Sequence, residues 1–308
     1  MAYRCVYIRK AEKMSLKHSN LVIDKDGKEV MIPLEDIAII LLEDQKSVVT
    51  TRLISSLATY YIGLIICDEK YKPVSITLPL AMHYKQLAVF GMQMKVKKPL
   101  NSQLWERIIK CKIRNQRIIV ELTSKDQYTI DRLSDLEKSV KSADKGNAEA
   151  IAAKVFFNGV YGKSFTRKQK SEDDVNSALN YGYMILSTNL SRLLTMYGFN
   201  TIIGIHHVSM TNNFNLSYDL VEPFRPIVDY YVYSRLDELA FPLPLDIREG
   251  LIRLLVKPIR INEKNYLIQF AMEEMVLSYI KTLETGKAEC LELPQIIEDV
   301  EIENETIF

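Results

Sequence analysis

The sequence predicts an α+β protein: a small N-terminal β-sheet domain, residues 1–78, followed by a larger all-α domain, residues 79–288, and an acidic tail, residues 289–308. Three observations carry this. Up to residue 78 the apolar residues come in short β-branched runs separated by turn signals, the pattern of strands. Beyond Pro79 they recur every three or four residues, the pattern of helices packed on one face. And a chain of 308 residues, 47% hydrophobic and 26% charged, has globular composition and enough length for two cores.

In the first part, "LVIDKDGKEVMIPL" sets two apolar runs around an Asp-Gly turn, a hairpin signal. "IAIILL", "IGLIICD" and "VSITL" are further strands, and "TTRLISSLATYY" has helical spacing, so one helix interrupts the sheet. A β domain of this size lies near the lower limit for a self-sufficient core, which predicts that an exposed edge or apolar face is used for dimerisation.

In the second part, "NSQLWERIIKCKIRNQRIIVELT" puts Leu104, Ile108, Cys111 and Asn115 on one stripe, extended by Ile118, Ile119 and Leu122. "IDRLSDLEKSVK" is a shorter helix. "NAEAIAAKVFFNGVYG" is a helix with Asn147 as its N-cap and a glycine at its end. "NYGYMILSTNLSRLLTMYG" is apolar almost all round and should be buried, and the Tyr-rich "VDYYVYSRL" reads as a core helix. "DIREGLIRLLV" opens on a capping-box pair, Asp246 and Glu249, and "EKNYLIQFAMEEMVLSYIKTLETG" closes the set as one helix before Gly286.

Composition excludes several classes. No apolar run is long enough to span a membrane, and "MAYRCVYIRK" lacks a signal-peptide core, so the expected location is the cytoplasm. Cys5, Cys67, Cys111 and Cys290 have no CxxC spacing, which argues for reduced, mostly buried thiols rather than a zinc site or a disulfide framework. The net charge of +1 hides an asymmetry: beyond Lys287 come seven acids and no base, which leaves the body basic. Between residues 85 and 117, Lys85, Lys95, Lys97, Lys98, Arg107, Lys110, Lys112, Arg114 and Arg117 face one acid, Glu106. That run is either a solvated helix face or a phosphate-binding surface.

The chemistry concentrates in "GIHHVSMTNNFNLSYDLVEPFRP", residues 204–226. Asp219 and Glu222, three apart, project from one face of a helical turn, although Pro223 biases Glu222 away from the α region. With a histidine and another carboxylate the set suits a hard divalent ion, Mg²⁺ or Mn²⁺ rather than zinc. Read from the residues alone, the same pair also suits a helix N-terminal charge feature, and His206 and His207 also read as one core and one surface histidine.

G-x-x-H followed by a polar turn and D-x-x-E-P-F-R-P resembles the CRISPR spacer-acquisition integrase, the first-numbered family of Cas proteins. "NAEAIAAKVFFNGVYG" is similar to that family's helix carrying a catalytic glutamate, and "LNYGYMILSTNLSRLL" to its L-N-Y-G-Y segment. The E-P-F-R-P form and the short chain look most like the type II variant. Residue by residue, the resemblance implies metal ligands Glu149, His207 and Glu222, with Asp219 as a supporting catalytic carboxylate; His206 has no counterpart and either orients its neighbour or packs. It also implies a Mg²⁺- or Mn²⁺-dependent endonuclease and integrase acting on double-stranded DNA, both spacer fragment and CRISPR repeat. The implied partners are a second copy of the chain, the small second-numbered Cas protein and other type II CRISPR proteins. Lys163, Arg167, Lys168 and Lys170 join the basic run as candidate DNA contacts. A DNA-binding scaffold with a degenerate site and an unrelated metal-dependent RNA nuclease are the competing readings.

Overall fold

A computed structural model describes residues 4–79, 85–168 and 173–297. They fall into two compact units, one within residues 1–83 and the other within residues 84–302.

Among its described residues the first unit has two four-stranded sheets and one α-helix. Strands β1 (Arg4–Ile8), β2 (Lys13–Lys17), β3 (Asn20–Lys25), β4 (Lys28–Pro33), β5 (Ile37–Leu42) and β6 (Val48–Val49) precede helix α1 (Thr51–Thr59), and β7 (Gly63–Cys67) and β8 (Pro73–Thr77) follow it. One sheet has the order β1-β5-β7-β8, with its first three strands parallel and β8 antiparallel. The other has the order β4-β3-β2-β6. All six residues of β5 are buried, as a parallel strand covered on both faces requires. The predicted hairpin is β3–β4: Asp26 and Gly27 both take positive φ, 52° and 71°, and Lys25 pairs with Lys28. Thr50 caps α1 by accepting from the Leu53 N–H, and Leu53 and Leu57 drop into a core with Met14, Leu21, Ile37 and Ile40.

The second unit is helical but not all-α. Its helices are α2 (Gln86–Lys95), α3 (Lys98–Leu122), α4 (Gln127–Ser139), α5 (Ala148–Tyr161), α6 (Asp174–Met196), α7 (Asn215–Val221), α8 (Arg225–Tyr233), α9 (Leu245–Arg253) and α10 (Ile268–Thr285). A two-stranded hairpin, β9 (Pro258–Ile261) with β10 (Lys264–Leu267), precedes α10. The sequence assigns Lys264–Leu267 to the helix; the structure turns the chain at Asn262 and Glu263, both at positive φ, so these residues pair as a strand instead. Long α3 is the spine, packing against α4, α5 and α8. Helix α6 is buried along most of its length, and its cap is Asp173, which accepts from Asn176 N.

Two predicted caps are replaced. Asn147 sits in the left-handed region without a side-chain cap bond, and Asp144 instead accepts from the N–H groups of Ala148 and Glu149 at 2.9 and 3.0 Å. Helix α9 starts from Pro244, so Asp246 lies inside its first turn and the Asp246–Glu249 capping box does not form. The first part of the acidic tail packs onto the helical unit: Leu291 and Ile296 are buried, and Gln295 bridges to Arg260. The remainder of that tail, residues 298–308, lies outside the described residues. No described helix is long and apolar enough to cross a membrane.

Candidate active site

Prolines shape the segment that carries the carboxylates. Helix α7 ends at Val221, Glu222–Phe224 makes one 3-10 turn, and α8 starts at Arg225. Pro223 and Pro226 stand at the starts of the second and third pieces, where a missing N–H costs least. Glu222 keeps helical angles, φ −50° and ψ −43°, against the bias expected from the following proline. The buried Asn115 of α3 donates to the Pro223 carbonyl at 2.8 Å and so fixes the turn from below.

Asp219 organises the loop. Its buried carboxylate accepts the consecutive backbone N–H groups of Ile205 (2.6 Å), His206 (2.9 Å) and His207 (3.2 Å), and its Oδ1 lies 2.5 Å from His207 Nδ1. Charge-assisted bonds of this kind lock both backbone and ring. They also explain the glycine of G-x-x-H: a Cβ on Gly204 would stand 2.3 Å from the His207 carbonyl oxygen and 2.7 Å from Asp219 Oδ2. The hydrogen bond to Asp219 raises the His207 pKa above its ordinary value. With Nδ1 engaged, Nε2 of this half-exposed ring is the nitrogen left for a ligand. The two histidines separate cleanly, because His206 lies flat on Trp105, the chain's single tryptophan, with ring centroids 4.2 Å apart.

Glu149, in the first turn of α5, and Glu222 converge on one positive charge. Lys112 Nζ of α3 is 2.7 Å from Glu149 Oε1 and 2.6 Å from Glu222 Oε2, while Arg225 holds Glu222 Oε1 at 2.9 Å. The approach to Glu222 Oε2 is an ion-pair contact not aligned as a hydrogen bond, so this buried oxygen has a charge beside it and no directed donor. Burial alone would raise the Glu222 pKa, but Arg225 and Lys112 outweigh it and hold the carboxyl below the usual range. Burial would likewise lower the Lys112 pKa, and the two glutamates reverse that. Among the described residues no three His, Cys, Asp or Glu side chains form a ready-made metal cluster. Asp219 is committed to the loop, and Glu149 and Glu222 close on the ammonium.

The candidate DNA contacts sort by partner. Lys85, Lys95, Lys97 and Lys98, at and between α2 and α3, are exposed, as are Lys163 and Lys168 after α5. Lys110 pairs with Glu106, Arg114 with Glu137 and Arg117 with Glu121, while Arg107 donates to the Leu291 carbonyl. Arg167 is a clamp, bonded to Asn176 and Asn180 and stacked 5.1 Å from the Tyr183 ring centroid. Lys170 lies outside the described residues. Tyr183 also lies 5.0 Å from the Arg225 guanidinium and donates to Asp229, whose buried carboxyl is pushed up to about 7. In the sequence Lys112 reads as one charge of the basic run and Asn115 as one position of the α3 stripe, with no site role for either or for Trp105. The available signal was a lysine and an amide on the buried face of a helix, where neither belongs without a partner.

Fold and site together define a class: an α+β protein of two units whose helical unit holds a buried and a half-buried glutamate converging on one lysine, within electrostatic reach of an oriented imidazole. Residues 6–241 match the family described as CRISPR associated protein Cas1. A CRISPR-associated endonuclease Cas1 from Neisseria meningitidis is 36% identical over 299 residues, covering 96% of this chain and 97% of that one. The chain belongs to the Cas1 family. Among solved structures, a Cas6-RT-Cas1–Cas2 complex matches with a TM-score of 0.76 at 18% identity, over 96% of this chain and 36% of that longer one. A casposase bound to integration product matches at 0.73 and 19% identity, over 93% and 92%. These two establish likeness of fold.

Proposed function

We propose that the protein is a metal-dependent DNA endonuclease and integrase of CRISPR adaptation, inserting captured fragments into the array by transesterification. The observation that carries this is the convergence of Glu149 and Glu222 on a single positive charge, within electrostatic reach of His207, whose Nδ1 is fixed by Asp219. Two carboxylates that already gather a cation, one of them with a buried oxygen lacking a directed donor, fit a hard divalent ion such as Mg²⁺ or Mn²⁺. Glu149, His207 through Nε2, and Glu222 would hold it. When bound, the ion supplies Lewis acidity to a phosphodiester and to the attacking oxygen.

The chain's own residues supply the rest. Asp219 fixes the tautomer and the orientation of His207, and Arg225 fixes Glu222. The exposed lysines around residues 95–98 and Lys163 neutralise backbone phosphates without reading sequence. In the strand transfer, a fragment's 3′-hydroxyl oxygen forms a bond to the phosphorus at the repeat edge as the bond from that phosphorus to the adjoining nucleotide's 3′-oxygen breaks, and the proton lost by the hydroxyl is balanced by the one the leaving oxygen takes up. The neighbours described as a Cas6-RT-Cas1–Cas2 complex and as a casposase bound to integration product support the small second-numbered Cas protein and DNA as partners, and the family resemblance adds a duplex form for that DNA and a second copy of this chain.

A supercoiled plasmid bearing a repeat, incubated with labelled fragments and Mn²⁺ or Mg²⁺, tests the reading. Joined product is expected. Glu149→Ala, His207→Ala and Glu222→Ala should each lower it by at least about 100-fold while DNA affinity changes little. Cut but never joined DNA would leave a nuclease only, and neither product would leave a scaffold. Loss in His206→Ala with retention in His207→Ala would move the ligand to the other ring.

A further inference from the structure

Helix α3 buries a lysine where an amphipathic helix puts an apolar residue. Lys112 is 8% exposed, flanked by the buried Cys111 and Ile113. An ammonium so placed is stable only with close partners, because the desolvation of the charge must be offset. It has two, Glu149 Oε1 at 2.7 Å and Glu222 Oε2 at 2.6 Å, brought from α5 and from the turn after α7. Without that ammonium, the two carboxylates would repel across a poorly solvated site.

These are oxygens of the same two carboxylates that the reading above assigns to the divalent ion, on which this inference rests. Hard divalent ions sit at about 2.0–2.6 Å from carboxylate oxygens. An ion on these oxygens and an ammonium within hydrogen-bond reach of both would be like charges in near contact, which costs far more inside a protein than in water. Arg225 already holds Glu222 Oε1 at 2.9 Å, so the oxygen without a directed donor, Oε2, is the one left for an ion, and it is the oxygen that faces the ammonium. One cation position is therefore shared by two claimants. Lysine suits exchange: its charge is a point at the end of a flexible stem, whereas the planar fork of arginine grips two oxygens at once.

We propose that Lys112 is a built-in place-holder for the divalent ion: its ammonium keeps Glu149 and Glu222 converged in the metal-free protein and leaves their shared position when the ion enters. Lys112 is thus a positioning residue. It pre-forms the ligand pair at the cost of weaker ion affinity, and the ion must outcompete it. A merely structural lysine would support the fold without competing with any ion.

The test is a Mn²⁺ titration of the full chain, following free Mn²⁺ by its paramagnetic resonance signal, in wild type, Lys112→Met and Glu149→Gln. The expected result is that Lys112→Met binds Mn²⁺ about tenfold more tightly than wild type, since removing one partner of a buried pair leaves its carboxylates uncompensated. Its thermal midpoint should be lower than wild type without metal and should rise more on adding Mn²⁺. Lys112→Met binding with wild-type affinity or more weakly would overturn the place-holder role, while wild-type binding lost in Glu149→Gln would leave the ligand assignment standing. Absence of Mn²⁺ binding in both wild type and Lys112→Met would overturn the ligand assignment and this inference together. Should Lys112→Met fail to fold without metal, Lys112→Gln, which keeps an N–H donor and drops the charge, makes the same comparison with the same two outcomes.

Discussion

Gly204 is fixed by what closes over it. The carbonyl of His207 and the carboxylate of Asp219 approach to 2.3 and 2.7 Å of where a Cβ would stand, and the first of these is backbone that cannot swing aside. Gly204→Ala should therefore cost about 2–3 kcal/mol in denaturant unfolding and remove strand transfer, because the loop can no longer wrap Asp219. Gly146→Ala, with nothing within 4 Å and no positive φ, should stay within about 0.5 kcal/mol of wild type. Equal behaviour of the two variants would show that the carboxylate does not hold the loop. At this scale the residue types of the site were legible and their division of labour was not. A three-residue spacing marks Asp219 and Glu222 as a pair, but only the folded loop turns one of them toward the amides of residues 205–207 and the other toward Lys112. Lys112 itself reads as one charge among nine until the stripe of α3 is seen to bury it.

Helix α3 does at element scale what Asp219 does at residue scale. Arg107, Cys111 and Asn115, spaced four apart, hold the segment after α10: Arg107 donates to the Leu291 carbonyl, Cys111 and Asn115 to that of Pro294, and Ile296 N–H donates to Asn115 Oδ1. Burial pushes the Cys111 thiol up to about 12, so it remains a protonated donor. Because Asn115 also holds the Pro223 carbonyl, the strap and the Glu222 turn share one anchor. Ending the chain after Lys287 should expose what Leu291 and Ile296 cover and leave the Asn115 amide half-paired. The expected loss is about 3 kcal/mol or more, with faster amide exchange at residues 220–226. Ending it after Ile297 should leave both measurements near wild type; equal losses from the two truncations would show that the strap is not the anchor. The elements with clean periodicity, such as α3 and the Asp-Gly hairpin, were legible because period and turn chemistry agreed, and α6 was legible from its long, nearly all-apolar run. The β9–β10 hairpin was not, since its turn uses Asn262 and Glu263 rather than a glycine, and its strands are only four residues long.

For the whole molecule, the sequence displays the sign of each charge but not whether an acid packs beside it. The change of pattern at Pro79 separates strands from helices, whereas the parallel order of β1, β5 and β7 depends on contacts that no local pattern encodes. The same holds for the basic run. Lys95, Lys97 and Lys98 are exposed, while Arg114 and Arg117 are held by Glu137 and Glu121. An exposed lysine that meets a phosphate releases a condensed counterion, and each such contact adds about 0.9 to the slope of log affinity against log salt. An arginine held by its own carboxylate must break that pair first and contributes less. Replacing Lys95, Lys97 and Lys98 together by Ala should thus flatten the slope for duplex DNA by about 3 and weaken all sequences alike. Arg114→Ala with Arg117→Ala should change it by less than about 1. Fluorescence anisotropy of two unrelated duplexes across a salt series reads both numbers. A larger slope change from the arginine pair than from the three lysines would place the DNA along the middle of α3 rather than at the junction of α2 and α3.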